Sequence, residues 1–162
     1  MRPTNPYHAA VLFLDSDGVL RTTRDVKFPG FLSATPACIE ALNRILRAVP
    51  VSLVVSSTWR EKGLRKLWPY RHAWGVCQRP DSLTPLSQHN WRKPYDRRLR
   101  GQEIHAWLDL RRQRHKMPRR FLILDEEDDM GCYRPYLVQT SYADGLTMAQ
   151  ASQIIPYFHH AL

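Results

Sequence analysis

Two carboxylates, Asp15 and Asp17, stand two residues apart behind an apolar run, and Gly18 follows them. Side chains with this spacing at the end of a strand can point toward one pocket, where their like charges repel. Mg²⁺ would relieve the repulsion, because it prefers oxygen ligands from one or two carboxylates, water and phosphate. One Asp could then attack a phosphorus atom while the other gives a proton to the leaving oxygen. The pair alone is weak evidence, since Asp-x-Asp-Gly segments also form ordinary turns and calcium loops.

Two other polar segments directly follow apolar runs. Ser56 and Ser57 stand where a helix is expected to begin, and backbone N–H groups at such a position bind phosphoryl oxygens. The acidic segment 125–129 could complete a metal site. Each segment also has a simpler interpretation, since serines commonly cap helices and acidic residues favour the positive end of a helix dipole. Their joint position carries more weight, because ligands bind at the carboxyl ends of the strands in parallel sheets.

The elements that must position these residues are alternating strands and helices. Short apolar runs predict strands over 9–14, 51–55, 73–77, 121–124 and 136–139. Helical spacing predicts helices over 36–47, 60–68 and 102–114, and a last helix that begins near Thr147. The alternation indicates an α/β fold with a single doubly wound, mainly parallel sheet and helices on both faces, since parallel neighbours need crossover connections. The proline-containing segment 78–98 is expected to be a long loop.

Length and composition predict one domain over 1–162. The interval between Gly18 and residue 51 is too short for a separate cap domain. No apolar stretch approaches the roughly 18 residues of a membrane span, and the first residues lack the apolar core of a signal peptide. We therefore expect a cytoplasmic protein with no membrane partner. The three scattered cysteines argue against disulfides and a structural zinc site.

Positive charge is in excess. The chain has 24 Lys and Arg against 15 Asp and Glu, and residues 60–120 hold 17 basic and 5 acidic side chains. Arginine predominates, and its planar fork matches phosphate oxygens. A polyanionic partner, a nucleotide or nucleic acid, is one interpretation of this excess. A solvated basic face is the other.

Three segments resemble the haloacid dehalogenase (HAD) superfamily of aspartate-nucleophile phosphohydrolases. They are Val-Leu-Phe-Leu-Asp-Ser-Asp-Gly-Val-Leu (11–20), Val-Val-Ser-Ser-Thr-Trp-Arg (54–60) and Leu-Ile-Leu-Asp-Glu (122–126). Segments 54–60, 100–108 and 144–147 are further similar to a small capless branch that includes domains of nucleic-acid repair proteins. The resemblance covers nearly the whole chain and implies a HAD-like Rossmannoid fold.

The resemblance implies that Asp15 is the nucleophile, forming an aspartyl-phosphate, and that Asp17 is the general acid and base. Ser56 would bind the phosphoryl group. Mg²⁺ would be held by Asp15, the backbone carbonyl of Asp17, and Asp125. The second acid of the last motif is either Glu126 or Asp129, with Asp129 narrowly favoured.

The basic residue of the family's third motif has two candidates. Arg100 stands at the expected helix start and is favoured over Lys93, which lies in the preceding loop. Arg60 could also contact phosphate, or pair with Glu61 or Glu103.

Three functions follow from these patterns. The favoured one is a Mg²⁺-dependent phosphatase that acts on nucleotides or nucleic-acid ends, because an open site flanked by basic residues suits a bulky anionic substrate. The second is a phosphatase of a small metabolite or phosphoprotein. The third is a catalytically silent nucleic-acid-binding module, which the presence of both Asp15 and Asp17 disfavours.

Overall fold

The computed structural model describes residues 10–24, 33–59, 63–85 and 99–159. Strands and helices alternate through these ranges. In chain order they are β1 (Ala10–Leu14), α1 (Pro36–Ala48), β2 (Ser52–Val55), α2 (Leu64–Ala73), β3 (Ser82–Leu83), α3 (Leu99–Gln113), β4 (Arg120–Asp125), a 3-10 helix (Gly131–Tyr136), β5 (Leu137–Gln139) and α4 (Met148–His159). The described strands form one all-parallel sheet in the order β3-β2-β1-β4-β5, which confirms the predicted α/β fold.

The central strand β1 is apolar and fully buried, as expected of a strand covered on both faces. Its side chains alternate between two hydrophobic clusters. Leu12 and Leu14 pack with α1 and α4 on one face. Val11 and Phe13 pack with α3 on the other, where the Phe13 ring meets Trp107 edge to face at 5.2 Å. Helices therefore cover both faces of the sheet, as the sequence predicts.

The third strand lies elsewhere than the sequence pattern indicates. The prediction of a strand over 73–77 is wrong, because α2 ends at Ala73 and a turn at Trp74 and Gly75 follows it. The strand in the sheet is instead β3, inside the segment predicted as a loop, and it pairs with Val54 and Val55. With two residues it is too short to produce an apolar period.

The strand order places a topological switch point beside β1. From β1 the chain builds β2 and β3 on one side of the sheet and then crosses to β4 and β5 on the other. In such sheets, ligands bind outside the carboxyl ends of the strands at the switch point. No described segment forms a separate domain over this edge, in agreement with a fold without a cap. None of the helices in the described ranges combines the length and apolar character that a membrane crossing needs.

Candidate active site

The carboxyl ends of β1 and β4 bring three acidic residues together. Asp15 follows β1, Asp125 ends β4 and Glu126 comes next. The backbone N–H of Asp15 donates to the carbonyl of Leu124 at 3.0 Å, which continues the pairing of the two strands. Asp15 and Asp125 are buried and Glu126 is partly buried. One carboxylate oxygen of each of the three lies within 4.8 Å of the others.

Backbone N–H groups fix the two buried aspartates. The N–H of Ser16 donates to Oδ1 of Asp15 at 2.6 Å, and the N–H of Glu127 donates to Oδ1 of Asp125 at 3.0 Å. The second oxygen of each carboxylate, Oδ2, contacts the guanidinium group of Arg100. Both aspartates are thus held by backbone at the strand ends on one side and by Arg100 on the other.

Arg100 lies in the first turn of α3, and its guanidinium group is almost enclosed by acidic residues. Its Nε lies 3.1 Å from Oδ2 of Asp125, its Nη2 3.4 Å from Oδ2 of Asp15, and its Nη1 3.4 Å from Oε2 of Glu103. Burial acts to lower the pKa of Arg100, but the surrounding carboxylates raise it above its ordinary value. The positive charge of Arg100 is therefore retained beside the nucleophile candidate Asp15.

The loop after β4 holds the start of α3. The backbone N–H of Arg100 donates to Oδ2 of Asp129 at 3.3 Å, and the N–H of Gly101 donates to the Asp129 carbonyl at 3.2 Å. A Cβ at Gly101 would overlap the backbone carbonyl of Met130, so only glycine permits this approach. Asp129 therefore fixes the position of α3 through its backbone and side chain.

The site holds more acidic groups than Arg100 can neutralise. Burial raises the pKa of Asp125 well above its ordinary value, and the charge of Asp15 adds to this while Arg100 opposes it. Burial, together with Asp15, raises the pKa of Glu126 to about 7. Oε2 of Glu126 is buried and accepts no hydrogen bond from the described residues. An oxygen-rich donor set with this surplus of negative charge fits a hard divalent cation such as Mg²⁺.

Asp17 is not one of the three clustered carboxylates, and its side chain is partly exposed. Its Oδ1 accepts a hydrogen bond from Nη1 of Arg21 at 2.6 Å, and its Oδ2 accepts one from Nε1 of Trp59 at 2.9 Å. The intervening turn depends on Gly18, whose φ of +66° is a conformation that side chains disfavour. A Cβ at Gly18 would also lie 2.6 Å from the side chain of Glu126.

Ser56 and Ser57 lie at the carboxyl end of β2, next to the end of β1. The backbone N–H of Ser56 donates to the carbonyl of Leu14 at 3.0 Å, which places Ser56 directly beside the start of the Asp15 loop. Both serines are buried. Oγ of Ser57 accepts a hydrogen bond from the backbone N–H of Trp59 at 3.4 Å, so Ser57 caps the short turn that follows β2.

The structure thus brings most of the candidate residues to one edge of the sheet. Asp15, Asp125, Glu126 and Arg100 are in mutual contact or close proximity. Asp129 touches the backbone of Arg100 and is not one of the three clustered carboxylates. The side chains of Lys93 and Arg60, both candidates for phosphate binding, lie outside the described residues.

Three residues of the site were not predicted from the sequence. Glu103 pairs with Arg100, and its spacing of three residues on a helix is a signal that could have found it. Arg21 pairs with Asp17 across four residues of a turn. Trp59 contacts Asp17 from a distant part of the chain, which spacing alone cannot indicate.

Comparison with known families agrees with this geometry. A family model described as the HAD domain in Swiss Army Knife RNA repair proteins matches residues 11–151. No curated protein and no solved structure matches the chain. The matched range contains all of the described clustered carboxylates and Arg100, so the family match and the site coincide.

Proposed function

The chain belongs to the family of HAD domains in Swiss Army Knife RNA repair proteins, and from this premise we propose a specific reaction for it. The domain is of the HAD phosphohydrolase type. We propose that it is a Mg²⁺-dependent phosphatase with Asp15 as nucleophile, and that it removes phosphate from nucleotides or nucleic-acid ends. The observation that carries the proposal is the convergence of Asp15, Asp125 and Glu126 beside Arg100 at the switch point of the sheet.

Asp15, Asp125 and Glu126 are the side chains that would hold Mg²⁺, together with the backbone carbonyl of Asp17. The carboxylate of Glu126 lies close to those of Asp15 and Asp125, which supports Glu126 as the second metal-linked acid. Asp129 is not in this cluster, and its Oδ2 accepts the backbone N–H of Arg100. Bound Mg²⁺ would supply positive charge that offsets the repulsion between the nucleophile and the phosphoryl oxygens.

The reaction divides into two displacements at phosphorus. In the first, a carboxylate oxygen of Asp15 forms a bond to phosphorus, the ester P–O bond breaks, and Asp17 gives its proton to the leaving oxygen. In the second, Asp17 takes a proton from water, the water oxygen forms a bond to phosphorus, and the bond between phosphorus and the Asp15 oxygen breaks. Inorganic phosphate leaves and the Asp15 carboxylate is regenerated.

Positive and polar groups next to Asp15 would bind the transferring phosphoryl group. Arg100 lies 3.4 Å from Asp15 and keeps its charge, so it can offset the negative charge of the transition state. Ser56, beside the end of β1, can donate from its hydroxyl group, since its backbone N–H already donates to the carbonyl of Leu14. Ser57, Arg60 and Lys93 remain candidates for further phosphate contacts.

The nucleic-acid substrate is supported by charge and by access. No segment of the described ranges forms a domain above the edge that carries the site, which favours the approach of a bulky substrate. The formal net charge is +9, which favours a polyanion. The family description, which refers to RNA repair, points to the same class of substrate.

The proposal is tested by phosphate release from a nitrophenyl ester, a mononucleotide, and 5′- and 3′-phosphorylated oligonucleotides, with Mg²⁺ or with a chelator. We expect release only with Mg²⁺ and the highest kcat/KM on a phosphorylated nucleotide or oligonucleotide. Asp125→Asn should lower kcat/KM by about 100-fold or more. The matched control is Asp128→Asn, an acidic residue of the same segment that pairs with Arg134. Undiminished release in chelator, or equal effects of the two variants, would contradict the proposal.

A further inference from the structure

Asp17, Arg21 and Trp59 form a closed triangle of contacts. The guanidinium of Arg21 and the indole N–H of Trp59 each donate to a different oxygen of Asp17. The guanidinium carbon of Arg21 also lies 4.8 Å from the centre of the Trp59 ring, which is within the range of a cation–π contact. Each member of the triangle therefore contacts both of the others.

Both donors are anchored to the fold by other contacts. Trp59 is 9% exposed and packs with Val55, Leu83 and Trp74, whose ring centre lies 5.6 Å from its own. Because this packing fixes the plane of the indole ring, it also fixes the direction of the N–H bond.

Two further hydrogen bonds hold Arg21 in place. Its Nε donates to the carbonyl of Ser33 at 3.0 Å, and its own backbone carbonyl accepts the N–H of Gly18 at 2.9 Å. The side chain of Arg21 is 13% exposed, whereas that of Asp17 is 43% exposed. The side chains of Arg21 and Trp59 are thus largely buried, whereas that of Asp17 is partly exposed.

We propose that Trp59 and Arg21 are positioning residues that hold the carboxyl of Asp17 in the one orientation suited to proton transfer. This inference rests on the proposed function, in which Asp17 is the general acid and base. Trp59 fixes Oδ2 and Arg21 fixes Oδ1, so the carboxyl group cannot rotate freely about its last bond.

The hydrogen bonds from Arg21 and Trp59 do not use all the lone pairs of Asp17, so its carboxyl group can also carry a proton. A carboxyl oxygen has two lone pairs, and each oxygen of Asp17 uses one of them toward its donor. Because the side chain of Asp17 is 43% exposed, its other lone pairs can hold a proton or meet a substrate. Orientation matters here because a small misplacement of a catalytic group causes a large decrease in rate.

The test uses the leaving group. The leaving group of a nucleotide is a ribose oxygen, which needs a proton from an acid to leave as a hydroxyl group. Nitrophenolate is a stable anion and leaves without such help. The constant kcat/KM reports only the steps through cleavage of the ester bond. We expect Trp59→Phe, which keeps an aromatic ring and removes the N–H, to lower kcat/KM about tenfold or more for a nucleotide and less than about threefold for nitrophenyl phosphate.

A matched control separates positioning from packing. Trp74→Phe alters the same aromatic cluster without touching Asp17, and we expect it to leave both substrates near the wild-type values. Equal losses on both substrates in Trp59→Phe, or no loss on either, would overturn the inference. If Trp59→Phe does not fold, benzothienylalanine at position 59 keeps the shape of indole, replaces N–H by sulfur, and gives the same test.

Two measurements distinguish a failure of this inference from a failure of the proposed function. Asp17→Asn should show the same dependence on leaving group with a larger loss, and if it does not, the acid role of Asp17 fails. The hydrogen bond is read without any turnover from the ¹H–¹⁵N indole signal of Trp59, which is assigned by its absence in Trp59→Phe. This signal should move in Asp17→Ala and stay in Asp128→Asn. An unmoved signal in Asp17→Ala would overturn the inference.

Discussion

Glu126 is an acidic residue of the site whose charge depends on pH near neutrality. Burial and the charge of Asp15 raise its pKa from an ordinary value of 4.5 to about 7. Between these two values, the folded protein holds a proton on Glu126 that the unfolded chain has released. Folding is therefore coupled to proton binding in this range. A bound cation would also relieve the repulsion between Glu126 and Asp15, and would thereby stabilise the fold without protonation.

We predict that the free energy of unfolding of the metal-free protein falls as pH rises from about 4.5 to 7. The raised pKa of Asp125 acts in the same direction. Since solvent screens the partly exposed carboxyl of Glu126, its share of the decrease should be about 1–2 kcal/mol. Urea unfolding at pH 5 and pH 7 measures the decrease, and added Mg²⁺ should reverse it at pH 7.

The matched pair for this prediction is Glu126→Gln and Glu127→Gln. Glu126→Gln should reduce the pH dependence strongly, whereas Glu127→Gln, which removes an exposed charge that contributes little to the raised pKa of Glu126, should change it much less. An unchanged pH dependence in Glu126→Gln would contradict the assignment of the titrating group.

At the scale of elements, the position of Arg100 depends on how closely α3 approaches the loop after β4. The contact is made by backbone at Gly101 and Met130, with Asp129 accepting two N–H groups from the first turn of α3. A helix placed by backbone contacts cannot shift without moving its side chains, so Arg100 and the docking of α3 act as one unit.

We predict that Gly101→Ala lowers stability by about 1–3 kcal/mol, because its Cβ would overlap the Met130 carbonyl. It should also lower kcat by about tenfold or more, because Arg100 moves away from Asp15. Urea unfolding and phosphate release measure the two effects. Gln102→Ala, an exposed neighbour on α3, should change neither. Full activity in Gly101→Ala would show that Arg100 does not depend on this contact.

The candidate site was predictable from sequence where a long apolar run leads into an acidic residue. The strands β1 and β4 are such runs, and their adjacency brings Asp15 and Asp125 together as expected. The two-residue strand β3 gives no periodic signal, and the apolar segment 73–77 packs Trp74 and Val76 against the cores without joining the sheet. Long-range contacts such as that of Trp59 with Asp17 are set by the fold and leave no local pattern.

At the scale of the whole molecule, the basic residues are spread beyond the site. Helix α3 starts beside Asp15 and runs for 15 residues, so its far end lies about 20 Å away. Arg114, Lys116 and Arg119 are exposed just beyond that end. They are too far to touch a phosphate at Asp15, so in the proposed reaction they would contact only other phosphates of a longer substrate.

We predict that replacing Arg114, Lys116 and Arg119 together by Ala raises KM for a phosphorylated oligonucleotide at least severalfold and leaves KM for a mononucleotide unchanged. The slope of log affinity against log salt should become shallower by about 0.7 for each phosphate that the variant no longer neutralises. Fluorescence anisotropy across salt concentrations measures this slope. The control is Arg44→Ala, an exposed charge on α1 across the sheet. Equal effects on both substrates would contradict a role in binding a longer chain.

A covalent phosphate on Asp15 is tested most directly by trapping it. The protein is mixed with a ³²P-labelled phosphorylated oligonucleotide and Mg²⁺, quenched in acid within one turnover, digested and analysed by mass spectrometry. We expect a hydroxylamine-labile phosphate on the peptide that contains Asp15, and none in Asp15→Asn, which should also lose turnover by a factor of about 1,000 or more. Turnover without label on Asp15, or turnover that survives in Asp15→Asn, would contradict the proposed reaction.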